Sequence, residues 1–412
     1  DRVPLVARGC LVLWADGLHA APGWAGRIEV VSRVGCWGEW ISAFEFRVPP
    51  NSKLETPDSK PTDPTLAGIW AMVREGERLG PGEIATMLST PSLADLGRMA
   101  DAAKRARWGD RATWVRNRQI NPTNICTSRC RFCDFSVPAG SERAYAMEPA
   151  DAAALVPPDA REAHVVGGLH PEWPLERYLD IVRAIKAARP GIHVKAYTAV
   201  EIDHFVRISG STLEDVLARL RDAGVDMLPG GGAEIFSERL RGRLWPRKIP
   251  AARWLEIHAA AHRLGIPSNA TMLYGHEETI EDRARHLLAL RDAQDDAPGF
   301  VAFIPLRFQP GATGIRPGRS GAVDDLRTVA ASRLALDNFP HVKAYWAMLG
   351  LDTAAMALRF GADEMEGTVG EERIAHAAGA ATPVGLTPAE LRAAIEEAGC
   401  TPVERDGLYR PV

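Results

Sequence analysis

The sequence predicts an α/β fold, a (β/α)8 TIM-type barrel, complete or nearly so, preceded by an N-terminal extension. Three observations predict it. From about residue 66 onward, short strand-like segments alternate with amphipathic helical ones, and strands separated by helices imply parallel βα units. Glycine runs recur where strands end, at Gly167-Gly168 and at Gly230-Gly231-Gly232. The chain has 412 residues, enough for one barrel of ~250 residues plus extensions.

Residues 1–65 stand apart from this pattern. Trp14, Trp24, Trp37 and Trp40 lie among glycines, and a stretch through Pro49, Pro57, Pro61 and Pro64 reads as a linker. The tryptophan-rich piece is open to three readings: a docking element, a poorly ordered extension, or sequence outside the functional reading frame. Residues 66–412 make up the expected barrel and a C-terminal helical segment. Its first strand is expected at about Thr113 to Gln119, its second at Val165-Val166 before the glycine pair, with a helix from Pro174. A strand over His193 to Thr198 follows. Ser211-Thr212-Leu213-Glu214 is a capping box, after which Leu213, Val216, Leu217 and Leu220 fall at i, i+3, i+4 and i+7 until Gly224 ends the helix. Further strands are expected at Val225 to Pro229, Asn269 to Tyr274, Phe300 to Leu306 and Val342 to Met348, with a helix capped by Thr279 after the second of these.

The chemistry is carried by Cys126, Cys130 and Cys133, spaced Cys-x3-Cys-x2-Cys. A structural zinc site draws its ligands from two separated pairs, and no second pair is present. A disulfide framework suits a short secreted chain. Three thiolates from one loop instead suit a [4Fe–4S] cluster, which ordinarily takes four cysteines, with one iron left open. Cys10, Cys36 and Cys400 have no ligand-like spacing and read as buried or incidental thiols. Net charge is −4 with 25% charged residues, which gives no nucleic-acid or anionic-membrane signal. The apolar stretches fall short of a membrane span, and a cytoplasmic enzyme is expected.

The cysteine loop resembles that of the radical S-adenosylmethionine (SAM) superfamily. Within it, the chain resembles the aminofutalosine synthase family of the futalosine route to menaquinone. The runs that carry this are Ile120 to Cys126, Val166 to Pro171, Lys195 to Ile202, Leu228 to Ile235, Asn269 to His276, Phe303 to Leu306 and Lys343 to Trp346. Cyclic dehypoxanthinyl futalosine synthase and the radical enzymes of deazaflavin synthesis share the cysteine loop and the triple-glycine turn. A cluster-bearing scaffold without catalysis is a further alternative. Two departures stand out: Asp134 follows the third cysteine where a small residue is usual, and Gln309-Pro310-Gly311-Ala312 replaces a more familiar His-Pro-Glu-Asn.

The resemblance implies a [4Fe–4S] cluster and SAM as co-substrate, with reduced flavodoxin or ferredoxin as electron donor. It implies addition of a 5′-deoxyadenosyl radical to 3-[(1-carboxyvinyl)oxy]benzoate, with loss of carbon dioxide. It also implies roles: Cys126, Cys130 and Cys133 hold the cluster, Phe132 flanks adenine, Gly167 and Gly168 present backbone to the SAM amino group, and Glu234 binds its ribose or ammonium. Arg253 is expected on the SAM carboxylate, since a guanidinium forks onto carboxylates. A substrate with two carboxylates and a ring needs cationic or donor groups beside apolar walls. His170 and His276 are expected as catalytic groups, and Thr198, Glu201 and Arg307 as substrate contacts, with Tyr145 a weaker candidate.

Overall fold

The computed structural model describes residues 61–412 and two short segments near the start, β1 (Val3–Pro4) and β2 (Trp14–Ala15), paired antiparallel. Trp24, Trp37, Trp40, Pro49 and Pro57 lie outside the described residues. The chain divides into a unit of residues 1–42, which holds this pair, and a unit of residues 43–412, which holds everything below.

Three helices precede the barrel: α1 (Pro64–Glu75), α2 (Pro81–Ser89) and α3 (Leu93–Trp108). Asp63 caps α1 by accepting the N–H groups of Thr65 and Leu66. Leu66, Ile69, Trp70 and Val73 then form its buried stripe until Gly76, at φ 76°, ends it. The backbone N–H groups of Thr62 and Asp63 both donate to the buried Asp95 carboxylate on α3, at 2.9 and 2.8 Å. The expected boundary between residues 65 and 66 therefore falls inside the first turn of α1.

Barrel elements follow in the order β3 (Arg111–Val115), β4 (Asn117–Ile120), α4 (Pro149–Ala154), β5 (Glu162–Val165), α5 (Leu175–Ala188), β6 (His193–Ala196), α6 (Ala199–Ser209) and α7 (Leu213–Ala223). Next come α8 (Glu238–Leu244), α9 (Ala251–Arg263), β7 (Ser268–Tyr274), α10 (Ile280–Asp296), β8 (Phe300–Arg307), α11 (Ala322–Ala335) and β9 (His341–Ala344). The chain finishes with α12 (Trp346–Leu349), α13 (Leu351–Ala357), β10 (Glu364–Met365), α14 (Ile374–Ala377), α15 (Pro388–Glu397) and β11 (Thr401–Arg405). All barrel pairings are parallel. The expected first strand is divided between β3 and β4 at Arg116.

The expected strand at 225–229 is not a regular one. It holds the ring by two single bridges, Lys195 to Met227 and Leu228 to Ser268, before the glycines turn the chain away. β9 likewise stops at Ala344, and of the stretch expected to extend it to Met348, residues 346–348 belong to a helix, Trp346–Leu349. The ring runs β4, β5, β6, residues 227–228, β7, β8, β9, β10 and back to β3, so eight positions close a barrel. Gln119 N–H on Val369 O (2.8 Å) seals the last seam. β11 pairs along the whole of β3 and takes the edge that β5 takes of β4.

Strand alternation sorts side chains between two environments. Ala163, Val165, Val194 and Ala196 join the apolar layer under the helices. The inward positions are charged, where barrels of this type are ordinarily filled by branched apolar residues. Lys195 Nζ meets Glu162 Oε1 at 2.6 Å, Lys343 meets Glu366 at 3.0 Å and Glu364 at 3.3 Å, and Arg405 bridges Glu364 and Glu162. Three cations thus face three carboxylates. The two lysines come from one pentapeptide used twice, His-Val-Lys-Ala-Tyr at 193–197 and at 341–345, on the third and seventh of the eight positions and so on opposite sides of the ring.

Candidate active site

The loop after β4 is built by its own asparagines. Asn121 Nδ2 donates to Val166 O (2.9 Å), tying the loop to the end of β5. Asn124 donates to Arg143 O (2.8 Å) and accepts Tyr145 N–H (2.9 Å), closing the loop at its far end. Cys126 N–H to Val137 O and Val137 N–H to Asn124 O pin it across the middle. The three thiols then border one cavity of about 290 Å³ at the mouth of the barrel.

These thiols are Cys126, half-buried, Cys130, buried, and Cys133, half-buried. Desolvation pushes the Cys130 thiol up to about 12 and raises Cys133 as well, while the Lys248 ammonium pulls both the other way. Soft donors kept from water beside one cation suit a metal cluster that binds them as thiolates. Among the described residues no three His, Cys, Asp or Glu side chains, these cysteines included, are drawn around a single ion site; a [4Fe–4S] cluster, which is larger than one ion, would take the three cysteines as ligands and keep one iron open.

Lys248 was not foreseen. Its ammonium pairs with the Glu234 carboxylate and lies 5.0 Å from the Phe132 ring centre, and all three residues border the cavity. Glu234 itself adopts φ 47° at the end of the glycine turn. The pair sets an ammonium and a carboxylate side by side next to the thiols, which suits the two ends of an amino acid.

The glycine turns are explained by the protein around them. A Cβ at Gly168 would stand 2.1 Å from Ile125 O, and one at Gly230 would stand 2.7 Å from the Ala270 backbone. Gly167 N–H donates to Glu201 (3.0 Å) and Gly168 N–H to Thr123 O (2.8 Å). What this turn offers a ligand ammonium is therefore its carbonyls.

Ten of the thirteen expected site residues border the cavity: Cys126, Cys130, Cys133, Phe132, Gly167, Gly168, Thr198, Glu201, Glu234 and Arg307. Glu201 serves the site through others, since it accepts Gly167 N–H and both Thr198 groups. Burial pushes its carboxyl up to about 7. Arg307 lies on the wall with one arm on Asp325 at 2.9 Å.

Three of the expected residues stand away from the cavity. His170 is stacked on Trp173 at 4.8 Å, its Nδ1 accepts Glu172 N–H, and it does not border the cavity. His276 is buried with Nε2 on Leu273 O (3.1 Å), between Trp245 and Phe308, and is likewise outside. Arg253 is spent on Asp203 (2.9 Å) and Glu256 (3.0 Å) away from the cavity, because α9 turns it toward α6. Tyr145 lies outside too, under Arg373. Besides Lys248, reasoning from sequence missed His164, Lys195, Asn269 and Tyr345 at the cavity bottom. A lysine within an otherwise apolar strand was the available signal for one of them.

Comparison with known proteins agrees with this geometry. The model of the radical SAM superfamily matches residues 120–290, and that of the CofH/MqnC C-terminal region matches residues 297–412. Aminodeoxyfutalosine synthase of Thermus thermophilus is 45% identical over 85% of this chain and 96% of its own length. That of Streptomyces coelicolor is 40% identical over 82% and 91%. A 5-amino-6-(D-ribitylamino)uracil–L-tyrosine 4-hydroxyphenyl transferase of Methanopyrus kandleri is 41% identical over 76% and 88%. Among solved structures, methylornithine synthase superposes with a TM-score of 0.66 at 17% identity, over 81% of this chain and 97% of its own, a likeness of fold. No helix among the described residues is long and apolar enough to cross a membrane.

Proposed function

Because the chain belongs to the radical SAM superfamily, and is therefore an enzyme that uses a [4Fe–4S] cluster and SAM, we propose that it joins the 5′-deoxyadenosyl group of SAM to 3-[(1-carboxyvinyl)oxy]benzoate, releasing methionine and carbon dioxide and forming 6-amino-6-deoxyfutalosine for menaquinone synthesis. The observation that carries this reading is the 45% identity to the Thermus protein across 96% of that protein's length. The cavity supports it, with apolar walls from Ile304, Leu306 and Phe308 beside the Arg307 guanidinium, as a ring with carboxylates requires.

When bound, the cluster and SAM supply a 5′-deoxyadenosyl radical. The chain's own residues do the rest. Cys126, Cys130 and Cys133 would hold the cluster. The carbonyls of the Gly167-Gly168 turn and the Glu234 carboxylate accept hydrogen bonds from the ammonium and ribose of SAM, and Lys248 donates to its carboxylate. Glu201 keeps Gly167 in position, and the apolar wall excludes water. Reduced flavodoxin or ferredoxin is the proposed electron donor.

A second reading, transfer between L-tyrosine and 5-amino-6-(D-ribitylamino)uracil, is favoured by the 41% identity to the Methanopyrus protein. Mass spectrometry of anaerobic reactions separates the two. An adduct that keeps the adenosyl skeleton, formed from the enolpyruvyl benzoate, supports the first. Free 5′-deoxyadenosine in proportion to tyrosine consumed, with no such adduct, supports the second.

A further inference from the structure

Three polar side chains at the bottom of the cavity make no hydrogen bond among the described residues. They are His164 on β5, Asn269 on β7 and Tyr345, just past β9. Asn269 is 1% exposed and its Oδ1 is sealed in without a partner, as is Nε2 of His164. Buried polar groups are ordinarily paired; Asn269 is buried, and His164 and Tyr345 are half-buried where they border the cavity, so three unpaired side chains at one end of one cavity mark the seat of a ligand's polar group.

The chemistry of that group follows from what the three offer. An imidazole and a phenol can each donate a hydrogen bond, and the Asn269 carboxamide donates through Nδ2, its sealed Oδ1 being an acceptor. Beside them lies Lys195, in register with His164 across β5 and β6 and bordering the same cavity. Its ammonium spends one bond on Glu162 at 2.6 Å and has donors to spare. Burial and this lysine hold the imidazole far below its usual range, at about 3, so it is a neutral donor. The three carboxylates beneath are matched by three cations, so they leave no excess negative charge to repel an anion. A ring of donors from three strands with one cation behind them suits a carboxylate, which only accepts.

Depth then selects which carboxylate. His164 lies on β5 and Gly167 two residues past its end at Val165, which sets His164 roughly 10 Å deeper for three extended residues at ~3.3 Å each, whereas the thiols lie at the mouth. We propose that His164, Asn269 and Tyr345, backed by Lys195, bind the ring carboxylate of the aromatic substrate and so turn its enolpyruvyl end toward the cysteine loop. This rests on the reaction proposed above.

The test uses reconstituted holoenzyme and two substrates, the enolpyruvyl benzoate and 2-phenoxyacrylate, which lacks the ring carboxylate. The variants His164→Gln, Asn269→Leu and Tyr345→Phe should raise KM for the first at least tenfold and leave KM for the second within about twofold, with Tyr345→Phe guarding against misfolding. Equal losses on both compounds, or an unchanged KM for the dianion, overturn the proposal. Calorimetric titration with 3-hydroxybenzoate decides it independently of turnover. Weaker binding to the variants than to the wild type supports the site even if the wild type turns over neither compound, in which case only the reaction assignment fails. Binding unchanged in the variants, or absent in the wild type, overturns the site.

Discussion

The carboxylate of Asp134 accepts the backbone N–H of Ala312 at 2.8 Å, so the residue after the third cysteine holds the loop that leaves β8. Gly311 makes the approach possible. It adopts φ 46°, and a Cβ there would stand 2.2 Å from Asp134 Oδ2 and 2.8 Å from Ala378 O. The two departures that stand out in the sequence, Asp134 and the Gln309 to Ala312 run, therefore meet in space and accommodate each other. Asp134, Gln309 and Ala378 all border the cavity, which makes this contact part of its rim.

Asp134→Ala should free the 309–313 loop without unfolding the barrel. Hydrogen exchange at Ala312 should quicken, while global stability falls by no more than about 1 kcal/mol, since the bond is exposed. Gly311→Ala should cost more, because it adds both strain at positive φ and a clash. A Gly311→Ala protein with wild-type exchange and stability would show that the loops do not pack this closely.

Lys248→Met should leave Glu234 buried without its counterion, a loss of about 3–5 kcal/mol, part of which Glu234→Gln should recover in the double variant. Equilibrium binding should find SAM affinity lowered at least tenfold in Glu234→Gln and Lys248→Met, as expected for a lost charge-assisted bond. Arg253→Ala should leave it unchanged, because that guanidinium is engaged with Asp203 and Glu256 outside the cavity. Loss of SAM binding in Arg253→Ala would restore the role first expected of it.

Which parts of this site were legible follows from how far each signal reaches along the chain. The cysteine loop is local, and so are the glycine turns and the cap of α7, which falls on Thr212 through Asp215 N–H, one residue after the Ser211 box expected and without its reciprocal carboxylate. The strand at 225–229 misled because Val-Asp-Met-Leu-Pro before a glycine run has a strand's pattern whether or not its neighbours complete the ladder. His170 and His276 misled because a position after a strand-end glycine does not fix which way a side chain points. Lys248 was silent for the opposite reason: it reaches the cavity only because the turn at residues 245–248, with Lys248 N–H on Trp245 O, folds it back onto Glu234. Nothing in its spacing from Cys133 records that.

Glu201 should make stability depend on pH near neutrality. Burial raises its carboxyl to about 7 in the folded chain, above the ordinary 4.5. The folded state therefore holds a proton that the unfolded state has released, and the contribution is fully present below pH 4.5 and lost as pH rises through about 7. The loss is of order 3 kcal/mol. Denaturant titrations from pH 4.5 to 8 should find a falling component in the wild type that is absent from Glu201→Gln. A difference between the two proteins that does not change with pH would mean that Glu201 titrates in its ordinary range.

The start of the folded unit can be located by truncation. Deletion of residues 1–65 removes Thr62 and Asp63, and with them the α1 cap and two backbone donors to the buried Asp95. Deletion of residues 1–60 keeps all of these. The longer deletion should melt at a lower temperature than the shorter one. Equal melting temperatures would place the boundary at residue 65 after all.

Arg405 ties the end of the chain to the charged floor of the barrel. Its guanidinium bridges Glu364 and Glu162 and lies 3.8 Å above the Tyr409 ring, which stacks in turn on His341 and, through it, on Trp108. Replacing Arg405 by Met keeps the β11 pairing yet leaves three carboxylates facing only Lys195 and Lys343. A buried charge stripped of its partner costs about 3–5 kcal/mol, so the variant should unfold at markedly lower denaturant. Glu364→Gln in the same chain should return part of the loss, because it removes the charge that Arg405 neutralised, whereas Glu364→Gln alone should destabilise. If the double variant is no more stable than Arg405→Met, the two residues act independently, and Arg405 supports β11 by packing on Tyr409 rather than by balancing the charges beneath the cavity.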